Sequence, residues 1–191
     1  VKHYLQRTAL QGSPSMITAI TNVYQPYAKG KEPGKHPFKK YFEEVEIGDQ
    51  LLTEPRLITA EDIDRFADLS GDHFYAHLRE TDFSNTMFEK QVAHGYLIMS
   101  LAAGLFVDSY KKNPVLLNYG IDELRFTKPV YPGATLGVRF TVKEKIDQEK
   151  RSEEDIAKGI VKFLVDVYDE TGETVALATI LTMVRKRNQE A

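Results

Sequence analysis

The sequence predicts an α+β layer in which an antiparallel sheet curls round one long buried helix. Three observations predict it. His94 to Tyr110 is apolar on nearly every side, as a helix surrounded by protein must be. Four strand-like segments follow it, separated by turn residues. In one of them Val161, Phe163, Val165 and Val167 alternate with Lys162, Leu164, Asp166 and Tyr168, the pattern of a sheet covered on one face.

Taken in order, residues 1–24 carry a few apolar side chains and the turn Gly12-Ser13-Pro14, too little to close a core. Residues 25–37 are rich in Pro, Gly and Lys and read as a linker. The compact unit is expected to span 38–191. Phe42 to Ile58 suggests extended chain with a turn at Gly48-Asp49. Thr59-Ala60-Glu61-Asp62 opens a helix with a capping pattern, and acids suit the positive end of its dipole. Gly71 ends that helix, so Asp72 falls on the loop just beyond.

Residues 79–90 are polar and predict a short helix and a turn. In the long helix Leu97, Ile98, Leu101, Ala102, Leu105 and Phe106 keep helical spacing, while Met99, Ala103 and Val107 fill much of the other side. Strands are then predicted at 115–127, 134–147, 158–169 and 173–186, with Pro129, Pro132-Gly133 and Thr171-Gly172 marking turns.

Composition removes several functional classes. A net charge of −3, from 25 basic and 28 acidic residues, argues against a dedicated nucleic-acid binder. The chain has no cysteine, which excludes disulfides, thiolate metal sites and a cysteine nucleophile. No apolar run follows Val1 to Arg7 as a signal peptide requires, and a cytoplasmic address fits. The longest apolar run, Gly95 to Val107, is about 13 residues, short of the ~20 that span a bilayer.

The chemistry-bearing stretch is Ser70-Gly71-Asp72-His73-Phe74-Tyr75-Ala76-His77, followed by Val92-Ala93-His94-Gly95. On a loop that turns back, Asp72 and His77 can reach one water, with the flanking aromatics excluding bulk solvent. A carboxylate and an imidazole so placed can take a proton from water and deliver one elsewhere, work typically worth ~10²–10⁴ in rate. The competing reading is a capping aspartate and a half-buried histidine. Gly95, at a helix start, lets a ligand approach the backbone, and the free amides there can polarise a carbonyl. The competing reading is a tight entry turn. His94 is expected to be a structural, hydrogen-bonding histidine. His73 should point away from the site, and His3 and His36 lie in the tail and linker. His73 and His77 have a metal-binding spacing but on a loop, so no metal is expected.

Ile58-Thr59, Phe66-Ala67, Leu69 to Asp72, His77, Val92 to Gly95, Arg125-Phe126, Pro129-Val130 and Pro132-Gly133 together resemble the MaoC-like (R)-specific enoyl-CoA hydratases of the hotdog fold. The family's Asp-x₄-His dyad falls on Asp72 and His77, and its helix-entry glycine on Gly95. The first residues, with Gln11 to Pro14 and His36 to Phe42, further resemble the bifunctional ring-opening enzymes of phenylacetate degradation, in which an aldehyde dehydrogenase precedes the hydratase domain. Residues 1–24 would be the end of that dehydrogenase.

The resemblance implies hydration of an unsaturated acyl-CoA, with hydrolytic ring opening of oxepin-CoA as the favoured case. It implies catalysis by Asp72 and His77, thioester binding by Gly95 N–H, and no cofactor beyond the CoA carried by the substrate. It also implies a homodimer or higher homo-oligomer, with no nucleic-acid or membrane partner. Many relatives carry a serine where Ala103 stands here, which bears on short-chain substrates. A plain (R)-specific hydratase, a thioesterase and a non-catalytic dimerisation module are the alternatives. Lys111, Lys112 and Lys128 are candidates for contact with CoA phosphates.

Overall fold

The structure is a computed structural model and describes residues 36–107 and 113–187. The expectations for the tail, for most of the linker and for Lys111 and Lys112 lie outside the described residues.

Two short strands, β1 (Gln50–Leu52) and β2 (Arg56–Leu57), precede helix α1 (Ala60–Ser70). Helix α2 (Gly95–Phe106) follows, then β3 (Val115–Phe126), β4 (Thr135–Asp147), β5 (Lys158–Tyr168) and β6 (Thr174–Arg185). The sheet is antiparallel in the order β1-β4-β5-β6-β3, with β2 also on β4. The four long strands lie where the alternation and the turn residues predict them, within a residue or so at each end. Phe42 to Ile58 is less extended than expected: Phe42–Glu44 is a 3-10 turn whose phenylalanine is buried. The ring of Phe42 lies where a side chain at Gly159 would project, so β5 needs a glycine there.

α2 lies against the sheet. Phe106 reaches Phe140 of β4 and Phe163 of β5, with ring centroids 4.5 and 5.0 Å away. Leu97, Ile98, Met99 and Ala102 are buried on the same side. The expectation of burial nearly all round needs correction. Tyr96, Ser100, Ala103 and Gly104 are exposed, and the helix ends at Phe106. The sheet covers one side of the helix in a single chain and leaves the other bare.

β3 forms the far edge of the sheet. Its pairing with β6 shifts register three times, and Glu123 sits in one of the shifts at φ 56°. A bulge of this kind twists an edge and interrupts its row of unpaired groups. Leu117, Tyr119, Ile121 and Phe126 of this edge stay 43–47% exposed.

Candidate active site

α1 places the acid. Thr59 Oγ1 accepts from Asp62 N at 3.0 Å, while Asp62 Oδ2 accepts from Thr59 N at 3.0 Å, a reciprocal cap. The other end stops at Gly71, whose φ of 76° is the left-handed conformation that glycine adopts without strain. Its N–H bonds to the Ala67 carbonyl at 2.8 Å. Asp72 follows directly. Its backbone N–H donates to Ser70 Oγ at 3.2 Å, and its Oδ1 accepts from Phe74 N at 3.3 Å. The other carboxylate oxygen, Oδ2, faces His77.

His77 closes a short 3-10 turn, Tyr75–His77. Its Nδ1 lies 2.8 Å from the Val92 carbonyl, which can only accept, so the proton of the neutral ring sits on Nδ1. Nε2 therefore carries the lone pair, and it lies 4.0 Å from Asp72 Oδ2. That gap is too long for a direct hydrogen bond and suits a bridging water.

The segment before α2 holds this turn. Val92 N–H bonds to the Ala76 carbonyl at 2.8 Å. Gln91 is 5% exposed and its Nε2 donates to the His77 carbonyl at 2.9 Å and to Asp64 Oδ1 at 2.7 Å. Asp64 also pairs with Arg79, whose hydrogen bond holds its carboxyl below the usual range. Two stretches distant in sequence are thus stapled side by side, with α1 bearing the staple.

His94 enters this site, although the sequence marks it only as a structural histidine. It is 2% exposed. Its ring stacks on that of His77 with centroids 3.7 Å apart and planes 27° from parallel. Its Nε2–H donates to the backbone carbonyl of Asp72 at 2.9 Å. Its Nδ1 is buried with no hydrogen-bond partner among the described residues. Burial pushes the His94 pKa down, against the opposing effect of the Asp72 carbonyl, and the net shift favours the neutral ring.

Asp72, His77 and His94 each bring a ligand atom within 4.8 Å of the others. Stacked rings, however, keep their lone pairs in two nearly parallel planes, 3.7 Å apart at the centroids. An ion seated between them would lie far from both ring planes. The trio is better arranged for protons than for a metal.

Gly95 begins α2. Among the described residues its N–H finds no acceptor, and the same holds for Tyr96 and Leu97, as expected of a first turn with no side-chain cap. The space at its Cα differs from the expectation of ligand approach. A Cβ there would meet the Phe126 ring at 2.4 Å, so the close neighbour is this ring at the end of β3. Phe126 also meets Tyr96 edge-on at 6.3 Å.

The expected exclusion of water is incomplete in one chain. Asp72 is 51% exposed and Phe74 55%. His73 turns back to Asp68, with Nε2 3.3 Å from Oδ1, away from the dyad as expected. Lys128 is paired with Asp169 and Glu173 at 2.6 and 2.7 Å, which leaves it poorly placed for a phosphate. Nothing local in the sequence marks Gln91 or Asp64 as part of this assembly, and Phe126 is marked only through the resemblance.

Comparison with known proteins adds independent findings. The family model described as the MaoC like domain matches residues 43–162. "Protein MaoC" of Klebsiella aerogenes is 50% identical over 157 residues, 82% of this chain and 47% of that protein. The chain thus spans about half the length of this relative. The 3-hydroxybutyryl-CoA dehydratase of Methylorubrum extorquens is 31% identical over 114 residues, 59% of this chain and 69% of that protein. Among solved structures, the unliganded R-hydratase PhaJ1 of Pseudomonas aeruginosa is similar at TM-score 0.58 and 25% identity, covering 77% of this chain and 86% of that one. A Mycobacterium tuberculosis protein with a double hotdog fold matches at TM-score 0.64 over 80% of this chain and 46% of its own, and at 14% identity it speaks for the fold alone. The fold is a hotdog.

Proposed function

We propose, from the premise that the chain belongs to the MaoC-like domain family, that it hydrates unsaturated acyl-CoA thioesters, with hydrolytic ring opening of oxepin-CoA as its particular reaction. The observation that carries the general reading is the pair of Asp72 Oδ2 and the unprotonated His77 Nε2, 4.0 Å apart at the mouth of a helix with free amides. Relatives named as a hydratase and a dehydratase support it.

In this reading one water lies between Asp72 and His77. It loses a proton to the pair as its oxygen bonds to the electrophilic carbon of the conjugated system. The negative charge that develops runs to the thioester oxygen, held by Gly95 N–H. The pair returns a proton to carbon, so water is added and nothing is oxidised. In oxepin-CoA the hydrated carbon is an enol-ether carbon. The product is a hemiacetal, which opens to an aldehyde. The resemblance of the first residues to ring-opening enzymes supports this substrate, and so does the aromatic pair Phe74 and Tyr75, with centroids 4.5 Å apart beside His77.

The reading includes a homodimer. The bare side of α2 and the exposed apolar residues of the β3 edge meet where Phe126 touches Gly95 and Tyr96. A second copy over this surface would close the half-open site. It also places the protein in the cytoplasm with no membrane partner. Among the described residues no helix is long and apolar enough to cross a membrane. An aldehyde dehydrogenase domain ahead of residue 1 belongs to the same reading.

The test offers crotonyl-CoA and oxepin-CoA to the wild type and to Asp72→Asn. Loss of absorbance of the conjugated thioester by the wild type alone is expected. Release of free thiol would move the assignment to a thioesterase, and dimerisation without any thioester binding would move it to a scaffold.

A further inference from the structure

His94 carries two features that no single role explains. Its ring lies flat on the His77 imidazole, and its Nε2–H is spent on the Asp72 carbonyl. Its other nitrogen is buried without a partner among the described residues, a state that ordinarily destabilises a fold. Were flat packing the only need, a phenyl ring would fill the space with no orphaned nitrogen. A carboxamide of similar reach could serve if the donor alone were needed. Imidazole is the side chain that supplies both a flat face and an N–H, at the expense of one buried lone pair.

The surroundings point the same way. Phe66 of α1 also packs on His94, tilted by 58° with its centroid 5.0 Å away. His94 therefore touches the rings of both Phe66 and His77, and one of these contacts comes from the helix that also delivers Asp72. The titratable groups facing it are His77 from the 3-10 turn, and Asp72 and His73 from the loop.

We propose that His94 is a positioning residue for the Asp72–His77 pair, its face setting the plane of the His77 ring and its Nε2–H fixing the main chain that carries Asp72. It touches neither water nor thioester. The proposal deepens the hydratase reading and rests on it for its consequence in rate, while its geometric content stands apart from any substrate.

Two substitutions in the full chain separate the two contacts. His94→Gln keeps a donor and removes the flat face. His94→Phe keeps the face and removes the donor. Ring-nitrogen NMR of the substrate-free protein reads His77, and amide shifts read Asp72. In the wild type His77 should be a single Nδ1–H tautomer and His94 a single Nε2–H tautomer. His94→Gln is expected to free the His77 ring to swing off the Val92 carbonyl, and so to average its tautomers, with little change at the Asp72 amide. His94→Phe should leave the His77 tautomer intact and shift the Asp72 and His73 amides. With crotonyl-CoA, both variants should lose about 10–100-fold in kcat with KM within about twofold, the size a small misplacement produces.

Equal loss of melting temperature in both variants, with His77 and Asp72 signals unmoved, would overturn the proposal. So would a wild-type His94 protonated on Nδ1, a result that needs no variant to fold. A wild type that turns over no thioester would defeat the hydratase reading while the NMR signals still decide the role of His94.

Discussion

The Val92 carbonyl accepts the Nδ1–H of His77 at 2.8 Å, and this one bond decides which nitrogen of the ring faces Asp72. The tautomer is set by the backbone, from a residue fifteen positions further on. Asp72→Asn and His77→Gln should each reduce hydration by ~10²–10⁴, the range for acid–base groups, with an unchanged circular dichroism spectrum. A variant that retains a tenth of the rate would remove that residue from the chemistry.

Gln91 donates to both Asp64 and the His77 carbonyl from a buried position. Gln91→Leu takes the donor from the His77 carbonyl, while Asp64 keeps Arg79, and should lower stability by about 1–3 kcal/mol. Activity should fall further than stability alone explains, because the turn bearing His77 loosens. Chemical denaturation and kcat measured on the same sample check both parts.

Gly95 and Phe126 are coupled by space. Gly95→Ala drives a methyl into the Phe126 ring, 2.4 Å from the new atom. Loss of activity is expected, with partial recovery in the double variant that also carries Phe126→Leu. A double-mutant cycle with no interaction energy would show that the ring simply swings aside.

The Lys128, Asp169 and Glu173 cluster ties the end of β3 to the β5–β6 turn and titrates at both extremes of pH. Burial opposes ionisation of Asp169, but hydrogen bonds from Lys128, Thr171 and Glu173 N–H overcome it and bring the carboxyl down to about 2. Hydrogen bonds to Asp169 and Glu173 raise Lys128 to about 12. A depressed acid stabilises above its unfolded value near 3.8 and loses that contribution as pH falls toward 2. A raised base stabilises below its unfolded value near 10.5 and loses that contribution as pH rises through 12. Lys128→Met should therefore lower the melting temperature across the plateau and flatten both limbs, so that variant and wild type converge at the extremes.

Ile121 stands on the exposed edge strand, where a charge would oppose burial against a second copy. Ile121→Glu should shift the sedimentation of the protein toward monomer and reduce turnover with it. A monomeric wild type with full activity would discard the dimer.

Much of this arrangement was legible in the residues. β5 could be read because Val161, Phe163, Val165 and Val167 alternate along it, and the start of β6 because Thr171-Gly172 marks the turn before it, both purely local signals. α1 was legible from Thr59 and Asp62 at one end and Gly71 at the other. The dyad could be placed because Asp72 follows that glycine. His94 was not legible as a partner of the dyad, since its contacts with Asp72 and His77 cross more than a turn of chain and depend on tertiary stapling. The bare side of α2 was misread for a related reason. Apolar periodicity reports that a face is to be covered, without saying whether by the same chain. Residues 79–90 predict a short helix and a turn by polarity, yet the structure has only turns there, because the Asp82 carboxylate accepts from Ser84 N–H and the Thr86 hydroxyl bonds to the Phe83 and Phe88 backbone.

Those same turns form a closed excursion. Gln91 and Val92 grip His77 and Ala76 at its base, and Thr86 knots its interior with bonds to Phe83 and Phe88. Its contents can be exchanged or lengthened while the base stays shut, since adding residues to a loop changes its closure entropy only slowly. Residues 82–88 thus offer a graft site at which new sequence can be carried without disturbing the bonds that hold His77 beside Asp72.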